Sequence, residues 1–187
     1  YGLDEAQEKA LIQDSIDSIR KATGEAPVGY LAPALSHSEL TVDLWAEAGG
    51  TYTCDLFHDD QPTPVKVRSG KPFVSIPYSL ELNDTIAYVV NKIEPRRYGQ
   101  MIRAAFDRLY AEGAESGTVM CIPTHNYQVS TPHRLKAFEE ALEYITGHSG
   151  VWVTTGREIA DYYLKHHYAA AQDSIEALNN ATHRSAR

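Results

Sequence analysis

Long apolar runs, clustered basic charge and cysteine pairs are all missing from this 187-residue chain. Without an apolar run of membrane length, and with charges scattered through residues 1–30 instead of a basic end followed by an apolar block, neither a membrane anchor nor a targeting leader is expected. Lys and Arg number 17 against 25 Asp and Glu, a net charge of -8 with no basic stripe, and "EPRR" at residues 94–97 is too short to make one. That excludes a nucleic-acid surface. The only cysteines, Cys54 and Cys121, both follow strand-like apolar residues. Buried thiols in a reducing, cytoplasmic setting are expected of them in preference to a disulfide. No Gly-rich phosphate loop, nucleophile elbow or CxxC pair is present, and there is no internal repeat. What remains, 43% hydrophobic with 22% charged, is the composition of one globular domain able to bury a core. Its partner is expected to be small or neutral, and a homo-oligomer is compatible with it.

What is present alternates. "LDEAQEKALIQDSIDSIRKATG" sets Ile12, Ile16 and Ile19 at helical spacing, with acids first, Arg20 and Lys21 last, and Gly24 as a stop. "VGYLAPAL" reads as a short strand broken by Pro33, residues 38–48 as a helix stopped by Gly49 and Gly50, and "TYTCDLF" as a strand. Residues 58–84 are rich in proline and acids, with two strand-like runs around "SGKP", a loop containing a hairpin. Then come a helix from Pro95 to near Gly113, the strand "TVMCIPT", a helix with Leu135, Phe138, Leu142 and Ile145, the strand "VWVT" and a helix from about Gly156. The fold class is α/β with a parallel sheet. From about Gln172 an Ala/Asn/Ser-rich tail is expected to fray, giving a main domain over 1–171 and a helical tail over 172–187.

In parallel α/β folds ligands gather at the carboxyl ends of strands. Four strands here end in polar residues, in "LAPALSHS", "CDLFHDD", "IPYSLELND" and "IPTHNY", and their convergence on one cleft is the expectation. His125 stands where a general acid or base would stand, or a structural histidine capping the sheet. His133, in "STPHR", suits a helix start and the rim of the cleft. Asp55, His58, Asp59 and Asp60 are enough ligands for a metal on paper, but the spacing matches no metal signature and turn and cap roles are the commoner use of such acids. Asn83 or Asp84 can cap a helix, leaving the other to reach substrate. Tyr30, Phe57, Tyr78 and Tyr127 can line a sugar- or ureide-sized pocket. His166 and His167 receive no function.

Together, "TGEAPVGYLAPALSHSELTVDLWAEAGGTYTCDLFHDDQP", "SIPYSLELND" and "PTHNYQVSTPHRLKAFEEALEYITGHSGVWVTTGREIADYY" resemble the polysaccharide deacetylase (NodB-homology) family, on the branch of peptidoglycan-deacetylase-like and cofactor-independent allantoinase-like members. The likeness runs from about Tyr1 to Tyr163. It implies a distorted (β/α) barrel and hydrolysis of a non-peptide carbon–nitrogen bond, typically an N-acetyl group on an amino sugar. It also implies that His125 is the late histidine that protonates the leaving amine. By the same resemblance Asp55, Asp59 and Asp60 wall the substrate pocket and a backbone N–H of "YLAPA" serves the oxyanion, and with them Tyr30, Pro33, Tyr78, Asn83, Asp84 and Tyr127 are the expected substrate contacts. Leu31 occupies the place of the arginine that orients the base in the family. The Asp-Asp and paired-histidine motifs of the metal-dependent members, which precede this stretch, are not in the sequence, so Tyr1 resembles a residue just past them. The chain is therefore expected to be a barrel incomplete at its amino-terminal end. A divalent metal, zinc by the resemblance, would belong to the complete domain of a metal-dependent member; no metal ligand is assigned in this chain, and no cofactor is expected for it alone. The alternatives are a cofactor-independent allantoinase-like amidohydrolase and a non-catalytic carbohydrate- or ureide-binding remnant.

Overall fold

The computed structural model describes residues 2–185; Tyr1, and Ala186 and Arg187 at the end of the expected tail, lie outside the described residues. In chain order the elements are α1 (Glu5–Thr23), β1 (Gly29–Tyr30), α2 (Thr41–Glu47), β2 (Tyr52–Thr53), β3 (Thr63–Pro64), β4 (Val74–Ser75), α3 (Pro95–Glu112), α4 (Asn126–Val129), α5 (Pro132–Thr146), α6 (Gly156–His166) and α7 (Tyr168–Ser185). A 3-10 turn at Pro33–Leu35 and a π-helical turn at Ile86–Val90 interrupt this series. The chain divides into two units, one made of Tyr1–Leu56, Pro62–Ile76 and Thr155–Arg187, the other of Phe57–Gln61 and Pro77–Thr154. Among the described residues no helix is long and apolar enough to cross a membrane.

The first unit holds the sheet, ordered β1-β2-β4-β3. β1, β2 and β4 run parallel, with Gly29 opposite Tyr52 and Thr53 opposite Ser75, as the helix–strand alternation requires. β3 returns antiparallel to β4 and makes the expected hairpin, turned where the Gly70 N–H donates to the Val67 carbonyl with Gly70 at φ 68°. Gly29 is needed where it stands: a Cβ there would lie 1.9 Å from the Tyr52 ring. α1 begins at a reciprocal capping box, in which Asp4 accepts from the Gln7 N–H at 2.9 Å and Gln7 accepts from the Asp4 N–H at 3.0 Å. It ends on Gly24 in the left-handed region. Of its three isoleucines only Ile16 is buried, against Trp45, Ala46, Val67 and Phe73, while Ile19 stays exposed. A second apolar cluster joins Val74 and Ile76 to Ala160 of α6 and Tyr168 of α7. The expected tail is helical through Ser185.

The second unit is built on the α3–α5 pair. Tyr98, Ile102 and Phe106 of α3 pack with Ala141 and Ile145 of α5 and with Leu82, Ala87 and Tyr88. Gly99 permits the close approach, since a Cβ there would meet the Ala137 carbonyl oxygen at 2.7 Å. The segments "TVMCIPT" and "VWVT" are not strands: among the described residues no ladder includes them. Apolar, β-branched composition marks a segment that will be extended and half-buried, but a strand exists only where a second backbone pairs with it, which local sequence does not encode.

Candidate functional site

The residues expected to share a cleft fall in both units: Tyr30, Pro33 and Asp55 in the first, and Asp59, Asp60, Tyr78, Asn83, Asp84, His125 and Tyr127 in the second.

In the second unit, Asp84 is the centre of a fixed arrangement. Its own N–H donates to the Pro123 carbonyl at 3.1 Å, and the hydroxyl of buried Tyr98 donates to the neighbouring Leu82 carbonyl at 2.7 Å. The Asp84 side chain, 0% exposed, spends both oxygens on His125. Oδ2 accepts the His125 backbone N–H at 2.7 Å, and Oδ1 lies 2.6 Å from the ring Nδ1. A carboxylate already accepting one N–H assigns the ring proton to Nδ1, with Nδ1–H donating to Oδ1. The Thr85 hydroxyl also sits 3.1 Å from Nδ1. With Nδ1 engaged, the Nε2 edge of a ring that is 38% exposed is the part left for chemistry. This is an imidazole held in one tautomer by a buried carboxylate, an arrangement that can donate or accept a proton at Nε2.

Asn83, half of the "LNDT" cap expected from sequence, does cap: its Oδ1 accepts from the Thr85 and Ile86 N–H groups at 2.9 and 3.2 Å. Its Nδ2 donates to the Tyr78 hydroxyl at 2.7 Å. Asp84, read from sequence as a substrate contact, is instead wholly turned to His125. Tyr127 is 68% exposed with its ring centroid 5.4 Å from that of His125, and Phe57 and Tyr78 lie 6.4 Å apart. Asp59 accepts the Gln61 N–H at 2.9 Å, a turn role, while Asp60 lines a cavity of about 260 Å³ together with Tyr78, Glu81, Arg108 and Cys121. Burial pushes the Cys121 thiol up from its ordinary value, so it remains protonated near neutrality. His133 is exposed in the first turn of α5.

In the first unit, Asp55 follows β2, its side chain 0% exposed. Its Oδ1 accepts the Ala32 N–H at 2.9 Å, so that amide of the "YLAPA" segment, a candidate oxyanion donor by sequence, is already committed. Burial holds the Asp55 carboxyl above its ordinary range, with the Ala32 N–H, then His37 and then a hydrogen bond from Tyr30 opposing. Tyr30 is packed on Trp45 at 5.1 Å, and burial likewise raises its phenol, which stays protonated. His37 approaches Asp55 with Nδ1 3.6 Å from Oδ2. Sequence reasoning missed His37; its place just past a strand end, in "LSHS", was the available signal. After Pro33 the backbone enters the left-handed region at Ala34 and Leu35, φ 52° and 56°, a conformation that costs about 1 kcal/mol or more per non-glycine residue.

Among the described residues no three His, Cys, Asp or Glu side chains are grouped to hold a metal ion. Both cysteines are thiols.

No family model matches the chain. It is 30% identical over 191 residues to a peptidoglycan deacetylase of Helicobacter pylori, an alignment covering 85% of this chain and 64% of that protein. Among solved structures it is similar to Puue allantoinase, with a TM-score of 0.82 and 32% identity over 89% of this chain and 55% of that one. It is similar too to a probable polysaccharide deacetylase from Pseudomonas aeruginosa PAO1, with a TM-score of 0.81 and 30% identity over 89% and 56%. The chain thus spans somewhat over half the length of the proteins it matches.

Proposed function

Since this chain is a relative of the polysaccharide deacetylases, with their α/β fold, we propose that it is part of a hydrolase that cleaves a non-peptide carbon–nitrogen bond, removing N-acetyl groups from a sugar polymer. The observation that carries this reading is the Asp84–His125 pair, an imidazole with its tautomer fixed and its outer edge available. Amide hydrolysis adds water to the carbonyl carbon, and the resulting tetrahedral intermediate collapses only when the leaving nitrogen gains a proton. His125 Nε2–H supplies that proton; the C–N bond breaks, the amine departs and acetate remains. Asp84 stabilises the imidazolium before the transfer. Residues 1–171 form the catalytic portion in this reading, and Tyr78, Tyr127 and Asp60 are its substrate contacts. A divalent metal, where such a reaction uses one, would supply activation of the attacking water. A carbohydrate is the partner, and the thiol state of both cysteines fits a cytoplasmic site of action.

The likeness to Puue allantoinase supports a second reading, opening of a cyclic ureide, which uses the same proton donor on a ring nitrogen. The test assays the protein as its source produces it for acetate release from N-acetylated oligosaccharides and, in parallel, for ureide ring opening, with His125→Gln beside the native protein. Acetate release that falls at least a hundredfold in the variant with KM nearly unchanged is the expected result. Turnover unaffected by the substitution removes His125 from the mechanism, and ring opening without acetate release selects the second reading.

A further inference from the structure

Asp84 and His125 each lead into a single short helical turn, and one side chain touches both turns. Asp84 and Thr85 run into the π-helical turn at Ile86–Val90, and His125 is the residue from which α4, only 4 residues long, begins. The Gln128 and Val129 N–H groups donate to the His125 carbonyl at 2.8 and 3.0 Å, so α4 fixes the backbone that carries the ring. An isolated turn does not hold itself in water, and π-helical bonding is a local departure from the favoured α-helical pattern. Arg134, in the first turn of α5, reaches both. Its Nη1 donates to the Gln128 carbonyl at 3.2 Å and to Gln128 Oε1 at 2.8 Å, while its Cζ lies 4.3 Å from the ring centroid of Tyr88 on the π-helical turn. Tyr88 in turn rests on Tyr98 at 4.9 Å. Its hydroxyl is buried with no hydrogen-bond partner among the described residues, so packing alone places the ring.

Among the described residues no carboxylate lies within ion-pair distance of Arg134. A guanidinium spent on a neutral amide and an aromatic face is not a salt bridge but a planar brace, presenting a face to the ring and an edge to the acceptor, which a lysine ammonium cannot do. We infer that Arg134 is a positioning residue for the Asp84–His125 pair. By joining Tyr88 to Gln128 it holds the segment after Asp84 against the segment after His125, and so keeps Nδ1 at 2.6 Å from Oδ1. Arg134 acts through these neighbours and touches no reacting atom. Its effect on turnover rests on the reading of His125 as the proton donor, because a misplaced donor slows proton transfer without weakening substrate binding. Its effect on the Asp84–His125 bond holds whatever the reaction.

The test compares Arg134→Met, Arg134→Lys and Gln128→Met in the protein as its source produces it, with Arg103→Met as control. Arg103 makes the same kinds of contact elsewhere on the α3–α5 pair, lying 5.3 Å from the Tyr144 ring centroid and donating to the Glu140 carbonyl at 2.9 Å. Three quantities are read: exchange of the His125 Nδ1 proton with water, kcat and KM for acetate release, and the urea midpoint. Arg134→Met is expected to speed the exchange roughly tenfold and lower kcat by about the same factor with KM nearly unchanged. Arg134→Lys should not restore either, and Gln128→Met, at a half-buried position, should move both in the same direction and carries the test should Arg134→Met fail to fold. Arg103→Met should lower the urea midpoint and leave the His125 proton and kcat as in the native protein. Native exchange and kcat in Arg134→Met, even with a lowered midpoint, overturn the inference, as does full recovery in Arg134→Lys, an equal effect in Arg103→Met, or a raised KM with native kcat. A protein that releases no acetate refutes the proposed function, and the exchange rates still decide the role of Arg134.

Discussion

Replacing Asp84 by Asn tests whether the buried carboxylate governs His125 or merely fills space. The two side chains have the same shape, so packing is kept, but the two acceptors become one acceptor and one donor. One oxygen must still take the His125 backbone N–H, now at 2.7 Å from Oδ2, which leaves the new NH₂ facing Nδ1 at the place of the 2.6 Å contact. Nδ1 must then accept, and the ring proton moves to Nε2. The charge-assisted bond that supports the imidazolium is lost as well, a term of about 1.5–3 kcal/mol. At about 1.4 kcal/mol per factor of ten, that corresponds to roughly a 10- to 100-fold fall in turnover. Two readouts are available. Long-range ¹H–¹⁵N spectra of His125 should show the Nδ1–H tautomer in the native protein and Nε2–H in the variant, and deacetylation should show reduced kcat with KM little changed. A native ring already in the Nε2–H form, or a variant with native kcat, refutes the assignment of Asp84 as the positioning residue.

Gly99→Val places branched carbon against the Ala137 carbonyl, where even a Cβ comes to 2.7 Å, and backbone cannot yield as a side chain would. We expect a loss of about 1–3 kcal/mol or more in urea unfolding, and a native midpoint would show that α3 and α5 are not in this close contact. Burial raises the Asp55 carboxyl above its unfolded value of 3.8, so the folded state holds that proton more tightly. Its stabilising contribution is complete below the unfolded value and is lost as pH rises through the folded one. Asp55→Asn cannot ionise, so its stability relative to the native protein should rise as pH increases from below 3.8 through the raised folded-state value. A difference independent of pH contradicts the burial effect.

The helices were legible because their causes are local. The Asp4–Gln7 capping box, the spacing of Ile12 and Ile16, and Gly24 at the stop all lie within α1 or at its two caps. The β3–β4 hairpin was legible for the same reason, its turn lying between its strands. Sequence likewise marked His125 as the end of an apolar run, and marked "LNDT" as a cap with a polar residue to spare. Only tertiary structure decided what that residue does: Asp84 and His125 are 41 positions apart, and the contact between them follows from packing that also buries Tyr98 and brings Pro123 to the Asp84 N–H. The same holds for Thr85 beside Nδ1, for Ala32 spending its N–H on Asp55, and for His37 facing that carboxylate. Periodicity records which face of a segment avoids water, whereas a partner for a buried oxygen depends on where a distant backbone passes, and no local pattern carries that information.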